Sequence, residues 1–212
     1  MSQFFNINLD NPQARLIMQT SELLQAGGVI AYPTDSGYAL GCMLGNSAAQ
    51  TRIRQIRGVD DKHLFTLICR NLSELGNYAI VSNSQFRLLK ANTPGAYTFI
   101  LNATREVPRK LQHPKRNTIG IRVPNHKVVH AILDALDAPL LSMTLSVHDD
   151  NKEDIAFAEP WQIRERLENL VDLVIDVDHD EQGQTTVIDL TSDAPTLIRV
   201  GLGDLTPFGL ND

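Results

Sequence analysis

The chain has 212 residues, 42% of them apolar, and a net charge of −6. That suffices for a substantial core, and the length suits one domain spanning 1–212. No run reaches the length of a membrane span, Met-Ser-Gln-Phe-Phe is no signal peptide, and the six histidines lack the H-E-x-x-H or H-x-x-E-H spacing of a zinc site. A cytoplasmic protein with no protein-ligated metal is the expectation, and its two cysteines, Cys42 and Cys69, read as small buried hydrophobes in a reducing compartment.

In chain order, Asn11-Pro12 opens a helix that Gly27-Gly28 closes, with Leu16, Ile17, Leu23 and Leu24 at helical spacing. A strand runs from Val29 and is stopped by Pro33, which lacks the N–H that a sheet ladder needs. Beyond it Gly37 permits a tight turn, so Thr34, Ser36 and Tyr38 are expected to gather at one strand end. Ser47 opens a helix that ends at Gly58, LFTLIC reads as a buried strand, and SQFRLLKAN as a helix stopped by Thr93-Pro94-Gly95. YTFIL is a strand. TIGIRVP alternates with period two, so Ile119, Ile121 and Val123 face one side and Gly120 and Arg122 the other. HKVVHAILDAL is an amphipathic helix, PLLSMTLS a strand, and EPWQIRERLENL a helix with proline in its first turn. VDLVIDV, TTVIDLT and TLIRV close the chain as strands, while VHDDNKED (147–154) is the most loop-like stretch and a candidate lid. Interleaved strands and helices predict an α/β protein, and the closing strands without helices between them predict a mixed sheet. No heptad or large apolar patch is visible, so a monomer is expected.

The charge is uneven. Arg105, Arg109, Lys110, Lys115, Arg116 and Arg122 lie close together against the single acid Glu106, whereas fourteen acids fall between Asp149 and Asp193. The acidic half reads as a solvated face. The basic stripe suggests an anion site for a nucleotide, pyrophosphate or RNA backbone, because Arg122 occupies a strand interior. Hydroxyls recur at strand ends, and Arg54, Arg57, Lys62, Arg122 and Arg199 accompany them, but no Ser–His–Asp, Cys–His or Gly-rich phosphate-loop pattern is present. Hydroxyls and arginines suit phosphate and carboxylate binding without a protein nucleophile, as in nucleotidyl transfer.

The segment AYPTDSGYALG (31–41), Arg54 to LFTLIC, Pro94-Gly95 with Thr98 to Leu101, Thr118 to Pro124, Pro139 to Ser142, and TTVIDLT to Arg199 follow one another across about residues 25–201. Together they resemble the YrdC/YciO family of threonylcarbamoyladenylate synthase-like proteins, and DSGYALGC is nearer the YciO branch. The resemblance implies a single-domain twisted mixed sheet, parallel and antiparallel, flanked by helices and YrdC/RibB-like. It implies ATP with Mg2+ as the substrate complex, threonine and bicarbonate as co-substrates, and a product that feeds tRNA threonylcarbamoyladenosine modification. Carried over, Thr34 and Tyr38 line the amino-acid and nucleotide pocket, and Arg122 holds a carboxylate or phosphate. Ser142 and Thr144 reach phosphates or carbamate, and Thr185 and Arg199 close the nucleotide side. Arg122, Thr144 and Arg57 are the catalytic candidates, with Thr34, Tyr38, Arg54, Lys62, Thr98, Ser142, Ser146, Thr185 and Arg199 as binding residues.

The chain departs from the pattern in two places. Ile56, Gly58 and Val59 stand where the family's K-x-R and proline belong, and Thr144-Leu145-Ser146 replaces S-x-N, so a hydroxyl survives and an amide is lost. A missing transition-state hydrogen bond costs about 2.7–4 kcal/mol, so attenuated or specialised synthesis is expected. The alternatives are a double-stranded RNA- or tRNA-binding protein using a basic concave face, and a hydrolase of the same adenylate.

Overall fold

A computed structural model describes residues 2–146, 160–177 and 183–210. The candidate lid at 147–154 lies outside the described residues. The elements in chain order are β1 (Gln3–Asn6), α1 (Ala14–Gln25), β2 (Ile30–Thr34), β3 (Gly37–Met43), α2 (Ser47–Arg57) and β4 (Thr66–Ile68). Next come α3 (Leu72–Tyr78), β5 (Ala79–Ile80), α4 (Asn83–Asn92), β6 (Tyr97–Ala103), β7 (Thr118–Arg122) and α5 (Lys127–Leu136). The chain continues with β8 (Leu140–Thr144), α6 (Pro160–Leu167), β9 (Leu173–Asp176), β10 (Thr186–Asp189) and β11 (Thr196–Arg199). The expected mixed sheet with helices is therefore what forms, and it divides into two compact units, residues 1–63 with 126–182 and residues 64–125 with 183–212.

In the first unit β1, β9 and β2 are parallel, and β2, β3 and β8 antiparallel. Pro33 does not end its strand: β2 continues to Thr34, and Pro33 pairs with Tyr38. This is tolerated because β9 pairs only with Ile30 and Ala31, so the missing N–H falls beyond its reach. Asp172, at the start of β9, ties three elements together. Its carboxylate accepts from Val29 N at 2.7 Å and pairs with Arg52 of α2 at 2.7 Å, while Arg52 Nε donates to Leu170 O. The N-cap of α1 is Gln13, without a side-chain cap, and Asn11 instead donates its N–H to the Asn8 side chain. Asn46 caps α2 by accepting from Ala49 N, and Gly58 ends that helix at φ 63°, a left-handed conformation that costs glycine little.

In the second unit β4 is parallel to β7, β7 antiparallel to β6, β6 parallel to β10, and β10 antiparallel to β11; β5 pairs with the end of β6. One face of this sheet is core. Leu67, Phe99, Leu101, Ile119, Ile121 and Ile188 are all buried there, and Tyr97, Phe99 and Phe208 pack with ring centroids 5.5–5.9 Å apart. Ser82 and Gln85 form a reciprocal capping box at the start of α4, and the Gln85 side chain also donates to Leu190 O. Among the described residues no helix is long and apolar enough to cross a membrane.

Candidate functional site

In the first unit, Tyr32 and Thr34 on β2, Gly37, Ala39 and Gly41 on β3, and Ser142 and Thr144 on β8 share one sheet face by register and alternation. Gly41 leaves room for the Tyr32 ring, whose Cε1 lies 2.7 Å from where a Cβ would stand, and the Tyr32 hydroxyl donates to Ser142 Oγ at 2.8 Å. Thr34 Oγ1 donates to Gly37 O at 2.7 Å, accepts from Ser36 N at 3.2 Å, and lies 3.2 Å from Ser36 Oγ. Thr34, Ser36 and Ser142 are buried, whereas Thr144 is exposed.

Tyr38 does not join Thr34 and Ser36. It pairs with Pro33, one step along the ladder from the Thr34–Gly37 pair, so its side chain leaves the opposite face of the hairpin. Cys42, two pairs further along Tyr38's face, is buried in β3; burial pushes its thiol up to about 12 despite the Arg54 charge. It stays a protonated thiol, inert as a nucleophile.

At the C-terminal end of α2, Arg57 donates to Ser146 O at 2.9 Å, and Arg54 Nε stands 3.7 Å from the Asp61 carboxylate. Arg57 thus meets the residue that replaces the family asparagine, through the backbone carbonyl. Burial, then the Arg57 charge, lowers the His63 pKa; Asp60 opposes and Arg54 adds to the effect. Lys62 is exposed on the same turn, with its backbone N–H on Asp60 Oδ1.

The second unit carries a different arrangement. Thr66, Gly120, Arg122, Thr98 and Val187 share the sheet face opposite the aromatic core, by register. Thr66, Thr98, Gly120 and Val187 are half-buried, and Arg122 is 6% exposed. Arg199 Nη2 donates to Thr185 O and to Thr185 Oγ1, both at 2.9 Å, and Nε donates to Thr185 O at 3.1 Å. Thr185 Oγ1 lies 2.9 Å from Thr98 Oγ1. Burial, then the neighbouring Arg122 charge, lowers the Arg199 pKa. Two guanidiniums beside a pair of hydroxyls form a place where an anion relieves repulsion.

Sequence gives Thr66 little distinction as a site residue, because it sits inside the apolar run LFTLIC. Its only signal is the alternation that sets it against Leu67. Of the basic stripe, Arg116 pairs with Asp189 at 2.9 Å, while Arg105, Arg109, Lys110 and Lys115 are exposed. Burial alone would raise the Asp189 pKa, but hydrogen bonds from Thr191 and the Arg116 charge outweigh it and lower the carboxyl. Among the described residues no three His, Cys, Asp or Glu side chains gather as a metal site.

The Sua5/YciO/YrdC family, described as "Telomere recombination", matches residues 22–201. The chain belongs to this family. It is 52% identical over 98% of its length to the whole of an uncharacterized protein, YciO, of Escherichia coli K12, and the crystal structure of E. coli YciO superposes with a TM-score of 0.90, covering 98% of this chain and 100% of that one. A threonylcarbamoyl-AMP synthase of Nitrosococcus oceani is 32% identical over 58% of this chain and 66% of its own. The P. abyssi Sua5 structure complexed with L-threonine shares the fold at TM-score 0.83 and 21% identity, over 94% of this chain and 58% of that one.

Proposed function

We propose that the protein binds ATP and threonine and catalyses attenuated or specialised synthesis of L-threonylcarbamoyladenylate. N-carboxythreonine attacks the α-phosphate of Mg-ATP through a carboxylate oxygen, and pyrophosphate leaves. Arg122 supplies the charge for the carboxylate or the transferred phosphate, Thr98 and Thr185 orient it, and Arg199 holds Thr185 in place. The observation that carries this reading is the buried Arg122, aligned with half-buried hydroxyls on a polar sheet face and close enough to Arg199 to lower its pKa. Kinship to a threonylcarbamoyl-AMP synthase and to a threonine-complexed Sua5 supports the substrate class.

The test is mass-spectrometric product analysis after incubation with ATP, Mg2+, bicarbonate and threonine. Wild type is compared with Arg122→Ala and with Ser146→Asn. Adenylate that disappears in the first and rises in the second supports an attenuated synthase. No adenylate above the Arg122→Ala control sinks it.

The exposed Arg105, Arg109, Lys110 and Lys115 favour a second reading, binding of tRNA or double-stranded RNA. RNA affinity that falls steeply with salt is its signature, and a flat response removes it.

A further inference from the structure

Arg52, Gln55 and Ile56 recur at i, i+3 and i+4 on α2 and so share one face of that helix. Ile53 turns into the core, as do Ile163 and Leu167 of α6. The Arg52 face borders a cavity of about 590 Å³, whose other wall is Glu165 and Arg166 at the end of α6, with Asn169 and Leu170 in the turn beyond. All of these residues belong to the first unit. The volume is that of a ligand site. Its two walls are fixed to each other, because Arg52 Nε donates to Leu170 O and Nη1 to the Asp172 carboxylate, both at 2.7 Å.

Shape and chemistry together select an occupant. Only Arg52 and Ile56 are half-buried and the rest of the lining is exposed, so the cavity is an open trough. A trough covers a small molecule on one side alone, whereas a chain laid along it continues past both ends. Gln55 and Asn169 carry primary amides, each able to donate and to accept, as the alternating N–H and C=O groups of an extended main chain require. The side chains of Gln55, Asn169 and Arg166 make no hydrogen bond or ion pair among the described residues, and Arg52 uses only Nε and Nη1. A single carboxylate therefore meets guanidinium donors with no protein partner to displace. Glu165 adjoins Arg166 on the same wall and repels a polyphosphate backbone, so the trough disfavours nucleic acid. Ile56 and Leu170 supply apolar contact beside the guanidiniums.

We propose that this cavity is a docking site for an extended peptide segment of a partner protein, one that carries an acidic side chain next to an apolar one. The acidic group pairs with Arg166 and Arg52 Nη2, the apolar group seats between Ile56 and Leu170, and Gln55 and Asn169 hold the main chain. None of these residues is assigned to adenylate synthesis, and the proposal does not rest on that reading. Trp161, the single tryptophan of the chain, is 62% exposed one helical turn before Glu165, so its emission reports occupancy.

The experiment selects displayed octapeptides of random sequence on the full chain. Recovered peptides are synthesised with blocked ends and titrated by Trp161 fluorescence and by calorimetry. The variants are Arg166→Ala and the double variant Gln55→Ala with Asn169→Ala. Arg52 is kept, because its loss would also open the Asp172 joint. The expected peptides share Asp or Glu beside Leu, Ile or Val, and their affinity falls about tenfold in each variant at unchanged melting temperature. Replacing the peptide's acid by its amide should cost as much on wild type and nothing further on Arg166→Ala. Adenylate synthesis in the variants should match wild type whether that rate is high or nil, so failure of the synthase reading leaves this test intact. Recovery of no peptides, or of peptides without the acidic–apolar pair, overturns the proposal. So does equal affinity for wild type and both variants, or displacement of the peptide by a short RNA duplex.

Discussion

The two units use the same side chain in opposite ways. In the first, hydroxyls close on their own framework: Thr34 on the Gly37 carbonyl, Tyr32 on Ser142. In the second, Arg199, Thr185 and Thr98 form a chain that ends in a half-buried hydroxyl. A buried hydroxyl satisfied by its own backbone fixes a turn, whereas one backed by a guanidinium and left half-open can donate to a ligand. Hydroxyl count alone does not locate chemistry. The direction in which each hydrogen-bond chain terminates does.

The largest expected effect comes from Arg122→Ala, which should lower adenylate synthesis about 100- to 1,000-fold, with Lys a poor substitute for the planar fork. A rate assay under saturating ATP checks this, and an active variant would remove the second unit's claim to the chemistry. Thr185→Val breaks the chain in its middle and leaves Arg199 with one fewer acceptor. A loss of roughly tenfold in threonine affinity is expected by calorimetry, from about 1.5 kcal/mol for a hydrogen bond to a charged group. Tyr32→Phe should instead lower stability by about 1 kcal/mol in chemical denaturation while ligand affinity holds. A change in affinity without loss of stability would erase the distinction between the units.

The smallest effect concerns pH. Asp189 has a lowered carboxyl pKa in the folded chain. Its contribution is therefore fully present above the ordinary carboxylate range and is lost as pH falls through the lowered folded value. Melting curves in acid should show a shallower decline for Asp189→Asn than for wild type, from a lower starting stability.

Much of the fold was readable because one-faced burial leaves a period. In Thr118 to Arg122 the alternation places Ile119 and Ile121 in the core and Gly120 and Arg122 on the polar face, as the structure has them. β3 carries no strand signal in sequence because Gly37 to Cys42 is buried on both faces, and its small residues give no alternation. α3, at seven residues, is too short to display helical spacing. Arg122, Thr98, Thr185 and Arg199 were legible as site candidates from motif order, and three of them join in one hydrogen-bonded chain. Nearness in sequence does not bring Tyr38 beside Thr34, because side chains alternate across the hairpin that holds them. Thr66 was hidden by its neighbours, since a hydroxyl among Leu64, Phe65 and Leu67 looks like β-propensity rather than chemistry.

The Tyr32 ring and the missing side chain of Gly41 occupy one volume between them. Neither position can drift alone: a methyl at 41 collides with the ring, and a small residue at 32 opens a void beside Ser142. Deep mutational scanning should therefore find Gly41→Ala harmful beside Tyr32 yet rescued beside valine at position 32, so that two loci nine residues apart are inherited as one.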